Sequence, residues 1–156
     1  DTIHERYNGK HYASCEEWKR KHYETRTKRK SWNTSKFEEY VYSELVKIFP
    51  DTKRQYRSEL YPYACDFYIP DIDTYIEIQG SAFHGPEPFD ELNENHQALI
   101  TKLLNRDTSY ALRQIDQWTI KDVEKRKIAK ENQLNFFEFY KTSQFDNWFK
   151  QYKEIY

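Results

Sequence analysis

The stretch CDFYIPDIDTYIEIQGSAFHG, Cys65 to Gly85, decides how the chain folds. From Tyr63 to Ile69 the residues alternate as an extended chain would place them. Cys65, Phe67 and Ile69 fall on one side, Ala64, Asp66 and Tyr68 on the other. Pro70 and Asp71 break that strand. Tyr75 to Gln79 resumes it, with Ile76 and Ile78 on one face and Tyr75, Glu77 and Gln79 on the other. Two strands joined by so short a turn pair as a hairpin. Two of the chain's three glycines, Gly80 and Gly85, follow, and Gly80 frees the backbone to turn directly after the strand.

Working outward, Ser35 to Phe49 is the clearest helix. Phe37, Val41, Leu45 and Ile48 recur on one face, Ser35 and Glu38 form a capping box, and Pro50 and Asp51 end the run. Gln55 to Leu60 is predicted as the strand before the hairpin. Beyond it come a helix from Glu87 to about Leu104 and a short strand around Gln117 and Trp118. A Thr119–Asp122 capping box then opens a helix to Asn132, followed by a strand over Leu134–Tyr140 and a helix over Ser143–Tyr152. Helices alternating with strands predict an α/β fold, a three-layer sandwich around a mixed β-sheet. Residues 1–34 are predicted as a basic helical arm, with Ser14 to about Lys30 helical, and residues 35–156 as one globular domain.

Composition narrows the class. With 156 residues, 37% hydrophobic and 33% charged, the core depends on its 14 Tyr, 10 Phe and 4 Trp. No apolar run approaches the ~18 residues of a membrane span, and no secretory signal is present, so an intracellular, cytoplasmic protein without membrane partners is expected. Cys15 and Cys65 lack the close spacing of a structural zinc site and are expected as reduced thiols. The absence of Met predicts an excised domain or the end of a longer protein, and any sequence-specific recognition would then come from a missing upstream recognition domain or from a dimer. The net charge of −1 hides an asymmetry: Lys19 to Lys36 holds eight Lys or Arg and one Glu, whereas Glu87 to Glu94 holds four acids and no base. A basic arm of this kind binds phosphates or forms a solvated helix face.

Metal-assisted hydrolysis of a phosphodiester requires carboxylates to hold the cation and a group that orients or deprotonates water. Asp66 and Glu77, on the two strands of the hairpin, can stand side by side, and Gln79 shares a face with Glu77. This D-x10-E-x-Q pattern has the geometry of a split metal site, to which Glu38 on the preceding helix can add a third carboxylate. Each also has a structural use. Asp66 can accept a strand hydrogen bond, Glu77 can face solvent, Glu38 can serve only its cap, and His84 can satisfy a turn.

The segments SKFEEYVYSEL, CDFYIP, YIEIQGSAFHG and WTIKDVEKRKIAKENQLNFFEFY together resemble the restriction-endonuclease-like PD-(D/E)XK superfamily. Within it the chain is most similar to the very short patch repair endonucleases and related phage homing endonucleases, over about Trp32 to Tyr140. The resemblance implies a restriction-endonuclease-like sandwich, a Mg2+-dependent endonuclease acting on double-stranded DNA, and a phage or bacterial setting. It implies that Asp66 is a metal ligand, that the Ile78 carbonyl is another, and that Glu38 acts through metal-bound water. Glu77 stands at the (D/E) position, as a ligand or only as a support. Gln79 replaces a His of the repair enzymes; an amide cannot be a general base, so it orients water or stands in for the superfamily's Lys. His84, where those enzymes carry a second His, is then the acid/base candidate, with Gly85 leaving room beside it for a phosphate.

DNA contacts are expected from Lys28, Arg29 and Lys30, from Trp32 as a stacking wedge, and from Lys53, Arg54 and Arg57. Lys121, Lys125, Arg126 and Lys130 either join them or form a solvated face, the latter favoured. A monomer would nick one strand and a homodimer would cut both. The alternatives are an endonuclease-like fold that binds DNA without cutting it, and a purely structural α/β domain.

Overall fold

The computed structural model describes residues 35–80 and 84–155. The expected arm, with Lys28, Arg29, Lys30 and Trp32, lies outside them, as does Cys15. The elements run α1 (Lys36–Ile48), β1 (Lys53–Tyr56), β2 (Cys65–Ile69), β3 (Thr74–Ile78), α2 (Glu94–Arg106), α3 (Ser109–Asp116), α4 (Asp122–Glu131), β4 (Asn135–Phe139) and α5 (Thr142–Lys153). A π-helical turn, Gln117–Lys121, joins α3 to α4.

The four strands form one mixed sheet in the order β1-β2-β3-β4. β1, β2 and β3 are an antiparallel meander, and β4 returns parallel to β3 after the helical crossover that parallel pairing demands. The hairpin register sets Phe67 opposite Ile76 and Tyr68 opposite Tyr75, which brings Asp66 alongside Glu77. A 3-10 turn, Pro70–Ile72, makes the connection, and Asp73 closes it in the left-handed region at φ 43°.

The periodicity of α1 holds. Val41 and Leu45 are fully buried, Phe37 and Ile48 pack at the margin, and the Ser35 side chain accepts the Glu38 amide as a cap. These residues join Phe67, Ile76, Ile78 and Phe139 of the sheet and Phe145 and Phe149 of α5 in one core layer. Each such ring or branched side chain contributes roughly 1.5–3 kcal/mol on burial. The opposite face of the sheet carries Tyr75 and Phe136, packed with Tyr61 and with Ala129 of α4. Helices therefore cover both faces, and α/β with a mixed sheet is what the chain adopts. Among the described residues no helix is long and apolar enough to cross a membrane.

Four expectations need correction. No strand forms at Gln117–Trp118, where the chain is helical throughout. β-branched and aromatic residues suggested extension, but Trp118 instead packs inward against Phe89 and His96, and tertiary packing overrides local propensity. Thr119 is accordingly no cap: its hydroxyl donates to the Ile115 carbonyl within the helix. The first strand lies at Lys53–Tyr56 rather than Gln55–Leu60. The helix expected from Glu87 starts at Glu94, where the Asn93 side chain accepts two amides as its cap.

Candidate active site

β3 is buried along its whole length, yet it carries Glu77, which is 2% exposed. A carboxylate in such a place must be paired. Its Oε1 accepts from the Tyr61 hydroxyl at 2.6 Å and stands 3.3 Å from Lys125 Nζ. Burial, then Glu77, pushes the Tyr61 hydroxyl far above the ordinary range, so it remains a donor.

Asp66, on the neighbouring strand, caps the end of the β2–β3 ladder. Its Oδ2 accepts the Ile78 amide at 2.8 Å, and its Oδ1 accepts a long bond from Gln55 Nε2 at 3.4 Å. Gln55 itself sits in the left-handed region at φ 48°, between two residues that pair normally with β2. Burial first, then the charges of Glu77 and Glu38, raise Asp66 well above the ordinary carboxylate value. Glu38 is raised for the same reasons, burial before Glu77, against the opposing charges of Arg54 and His84. The α1 carboxyl thus belongs to the cluster while its backbone serves the cap.

His84 reaches the cluster from the loop after β3. Its Nδ1 lies 2.7 Å from Asp122 Oδ2 at the start of α4, and its side chain is 20% exposed. Asp122 Oδ1 accepts from Gln117 Nε2 at 2.8 Å. Burial would raise Asp122, but the His84 bond and the Lys125 charge outweigh it and hold the acid below its ordinary value. An ionised carboxylate only accepts, so Nδ1 carries the imidazole proton and Nε2 remains for proton transfer.

The structure therefore sets Asp66 opposite Glu77 with the Glu38 carboxyl in their field, and holds His84 against Asp122, which Lys125 links to Glu77. Gln79 is turned aside. It is fully buried, and its Nε2 donates at 2.9 Å to Glu138, the β4 residue paired with Glu77. Arg126 clamps that carboxylate through Nε at 2.6 Å and reaches the Tyr140 hydroxyl at 2.9 Å. Gln79 Oε1 is buried without a hydrogen-bond partner among the described residues, an open acceptor that suits a water donor.

Lys125 is what the sequence reading missed. The favoured solvated face of α4 is incorrect at this position. Lys125 is 7% exposed, with Asp122 and Ala129 on the same buried side of the helix. Burial would lower its pKa, but Glu77, Asp122 and Asp66 outweigh that and raise it, so it is a fixed positive charge. The available signal was the shortage of apolar residues in Asp122–Glu131: a helix that must cover a sheet with so few has to turn charged residues inward.

Gly85 also differs from expectation. At φ +68°, a Cβ there would stand 2.4 Å from Trp118 Cε2, so the space beside His84 is filled by the indole and not held open for a phosphate. Of the expected DNA contacts, Lys53 is exposed, Arg57 is half-buried, and Arg54 pairs with Glu39 and lies 4.4 Å over the Tyr42 ring.

Oxygen donors of this kind suit a hard divalent cation. Among the described residues no group of three or more His, Cys, Asp or Glu stands at metal-holding spacing. Nevertheless, the β2–β3 register sets Asp66 opposite Glu77, and two carboxylates so placed, one of them held above its ordinary pKa by burial and by the other's charge, fit a cation better than they fit hydrocarbon. In comparison with known proteins, no family model, curated protein or solved structure matches the chain.

Proposed function

We propose that the chain is a Mg2+-dependent DNA endonuclease with a restriction-endonuclease-like fold, hydrolysing phosphodiester bonds in a repair-like or homing-type role. The observation that carries this is the Asp66–Glu77 pair, a half-buried and a buried carboxylate set opposite each other by the β2–β3 register, with Lys125 3.3 Å from Glu77 and the His84–Asp122 pair beyond it. Asp66 and Glu77, with the Ile78 carbonyl, would hold the cation, which supplies Lewis-acid stabilisation of the phosphate and of the attacking water. Glu38 adds negative charge at the mouth of the cluster. His84 Nε2, free because Asp122 fixes Nδ1, transfers the proton. Gln79, its Nε2 held by Glu138, supports the site from within the sheet and does not act on the water. Double-stranded DNA is the substrate, with Lys53 and Arg57 at the β1 end as phosphate contacts.

The test is cleavage of supercoiled plasmid by the full chain in Mg2+, with Asp66→Asn as control. Cutting by the wild type alone supports the proposal. Equal cutting by the variant refutes it. A gel shift with or without Mg2+ and no cutting would make the chain a DNA-binding module instead.

A further inference from the structure

We propose that Tyr61 sets the cation preference of the site: its hydroxyl takes one oxygen of Glu77, so that Glu77 meets a cation through the other oxygen alone, which suits Mg2+ and disfavours Ca2+. This deepens the endonuclease reading and rests on it for the cation. The terminal torsion of a glutamate is broad, so its carboxylate turns unless a donor fixes it. The two donors that reach Glu77 among the described residues, the Tyr61 hydroxyl at 2.6 Å and Lys125 Nζ at 3.3 Å, both reach Oε1. Charge-assisted bonds close to about 2.7–2.9 Å from nitrogen and about 2.5–2.7 Å from a hydroxyl. The tyrosine bond is therefore the closed one, and it fixes the rotation of the carboxylate. Oε2 is left for a cation.

Tyr61 is built to hold that geometry. It lies in the connection between β1 and β2 and is 4% exposed. Its ring centre stands 6.0 Å from that of Tyr75 and 5.7 Å from that of Phe136. Its backbone amide donates to the Ser58 carbonyl, and the carbonyl before it, of Leu60, accepts from Asn132 Nδ2 at 2.7 Å. The backbone is thus tied to a turn and to the end of α4, and the hydroxyl to β3. Mg2+ demands octahedral geometry and takes one or two carboxylates, with water filling the remaining positions; Ca2+ takes roughly six to eight oxygens and accepts both oxygens of one carboxylate. A Glu77 with one oxygen already spent offers Ca2+ one ligand fewer. A tyrosine that only satisfied a buried charge would not discriminate between the two ions.

Tyr61→Phe in the full chain tests this, because it keeps the ring and deletes the hydroxyl. Bound Mn2+ is followed by its electron paramagnetic resonance signal while Mg2+ or Ca2+ is titrated in as competitor. Tyr75→Phe is the control, since its hydroxyl belongs to the same aromatic cluster but bonds Ser58 Oγ at 3.1 Å. In Tyr61→Phe, Ca2+ is expected to gain about tenfold on Mg2+, the scale on which one added ligand changes affinity, with Tyr75→Phe within about twofold of wild type. A ratio in Tyr61→Phe within about twofold of wild type, or an equal rise in Tyr75→Phe, overturns the proposal. Should Tyr61→Phe not fold, a wild-type crystal soaked in Ca2+ decides. Glu77 is expected to touch the ion through one oxygen, with Tyr61 still on the other; contact through both oxygens, or through neither, overturns the proposal equally. Cleavage is not the readout, so the two readings fail separately. A wild type that shows the expected preference yet never cuts plasmid would sink the endonuclease reading alone, whereas one that binds no divalent cation would sink both.

Discussion

Asp122→Asn exchanges the carboxylate that fixes His84 for an amide of the same shape. Asp122 accepts from His84 Nδ1 at 2.7 Å and from Gln117 Nε2 at 2.8 Å. Gln117 can rotate its own amide to face the new NH2 group, so the geometry survives, but the charge is lost. At 2.7 Å a unit charge acts on an imidazolium with about 6 kcal/mol at an effective dielectric of ~20. Exchange for a neutral acceptor retains most of the contact, and about 2–3 kcal/mol is the expected net loss. That is about a 100-fold fall in the rate of any step in which His84 bears the proton. Lys125 also loses a neighbour, so folding stability should fall by about 2–3 kcal/mol. The assay is single-turnover cleavage of supercoiled plasmid beside urea unfolding, for Asp122→Asn, His84→Ala and the double variant. If Asp122 acts through His84, the double variant is no slower than His84→Ala. Cleavage by Asp122→Asn within about threefold of wild type, or two effects that multiply, would refute the dyad.

Asp66→Asn should gain stability while losing function. The raised Asp66 carboxyl binds its proton more tightly folded than unfolded, so wild-type stability is full below the ordinary value of 3.8 and falls as pH rises through the folded pKa. Asparagine has no such loss, and its amide can donate to Glu77; at pH 8 in EDTA the variant should be about 1–3 kcal/mol more stable, the gap closing towards pH 4. A variant less stable than wild type at pH 8 in urea titrations would contradict this. Gly85→Ala places a methyl 2.4 Å from the Trp118 ring at a positive φ and should cost about 2–4 kcal/mol, read by tryptophan fluorescence in urea; a loss under about 1 kcal/mol would show that the indole moves aside freely. Ser35→Ala removes the acceptor of the Glu38 amide and should cost about 1 kcal/mol by thermal melting, with no loss expected if water replaces the cap fully.

The parts legible in the sequence are those set by simple periodicities. Val41 and Leu45 kept the helical spacing, and Cys65, Phe67 and Ile69 kept the alternation, because one face of each element meets the core. The Asp66–Glu77 adjacency followed from the same alternation plus a short turn. Elements decided by distant packing were not legible. Trp118 belongs to a helix because Phe89, His96 and the bare Cα of Gly85 make a place for its ring, and none of these is near it in sequence. Lys125 and Arg126 look like any charged run, yet the Glu77–Glu138 register places two carboxylates side by side on neighbouring strands. Consecutive residues of α4 answer them, Lys125 facing Glu77 and Arg126 facing Glu138. Gln79 was legible as a residue on the site's face, but not as one whose amide is spent on Glu138.

The most direct test of a cation at the Asp66–Glu77 pair is anomalous diffraction from a crystal soaked in Mn2+. A single peak about 2.0–2.2 Å from an Asp66 carboxylate oxygen, with Glu77 or the Ile78 carbonyl as a second ligand, is the predicted result. Ordered Mn2+ elsewhere on the molecule, with no peak beside Asp66, would contradict it.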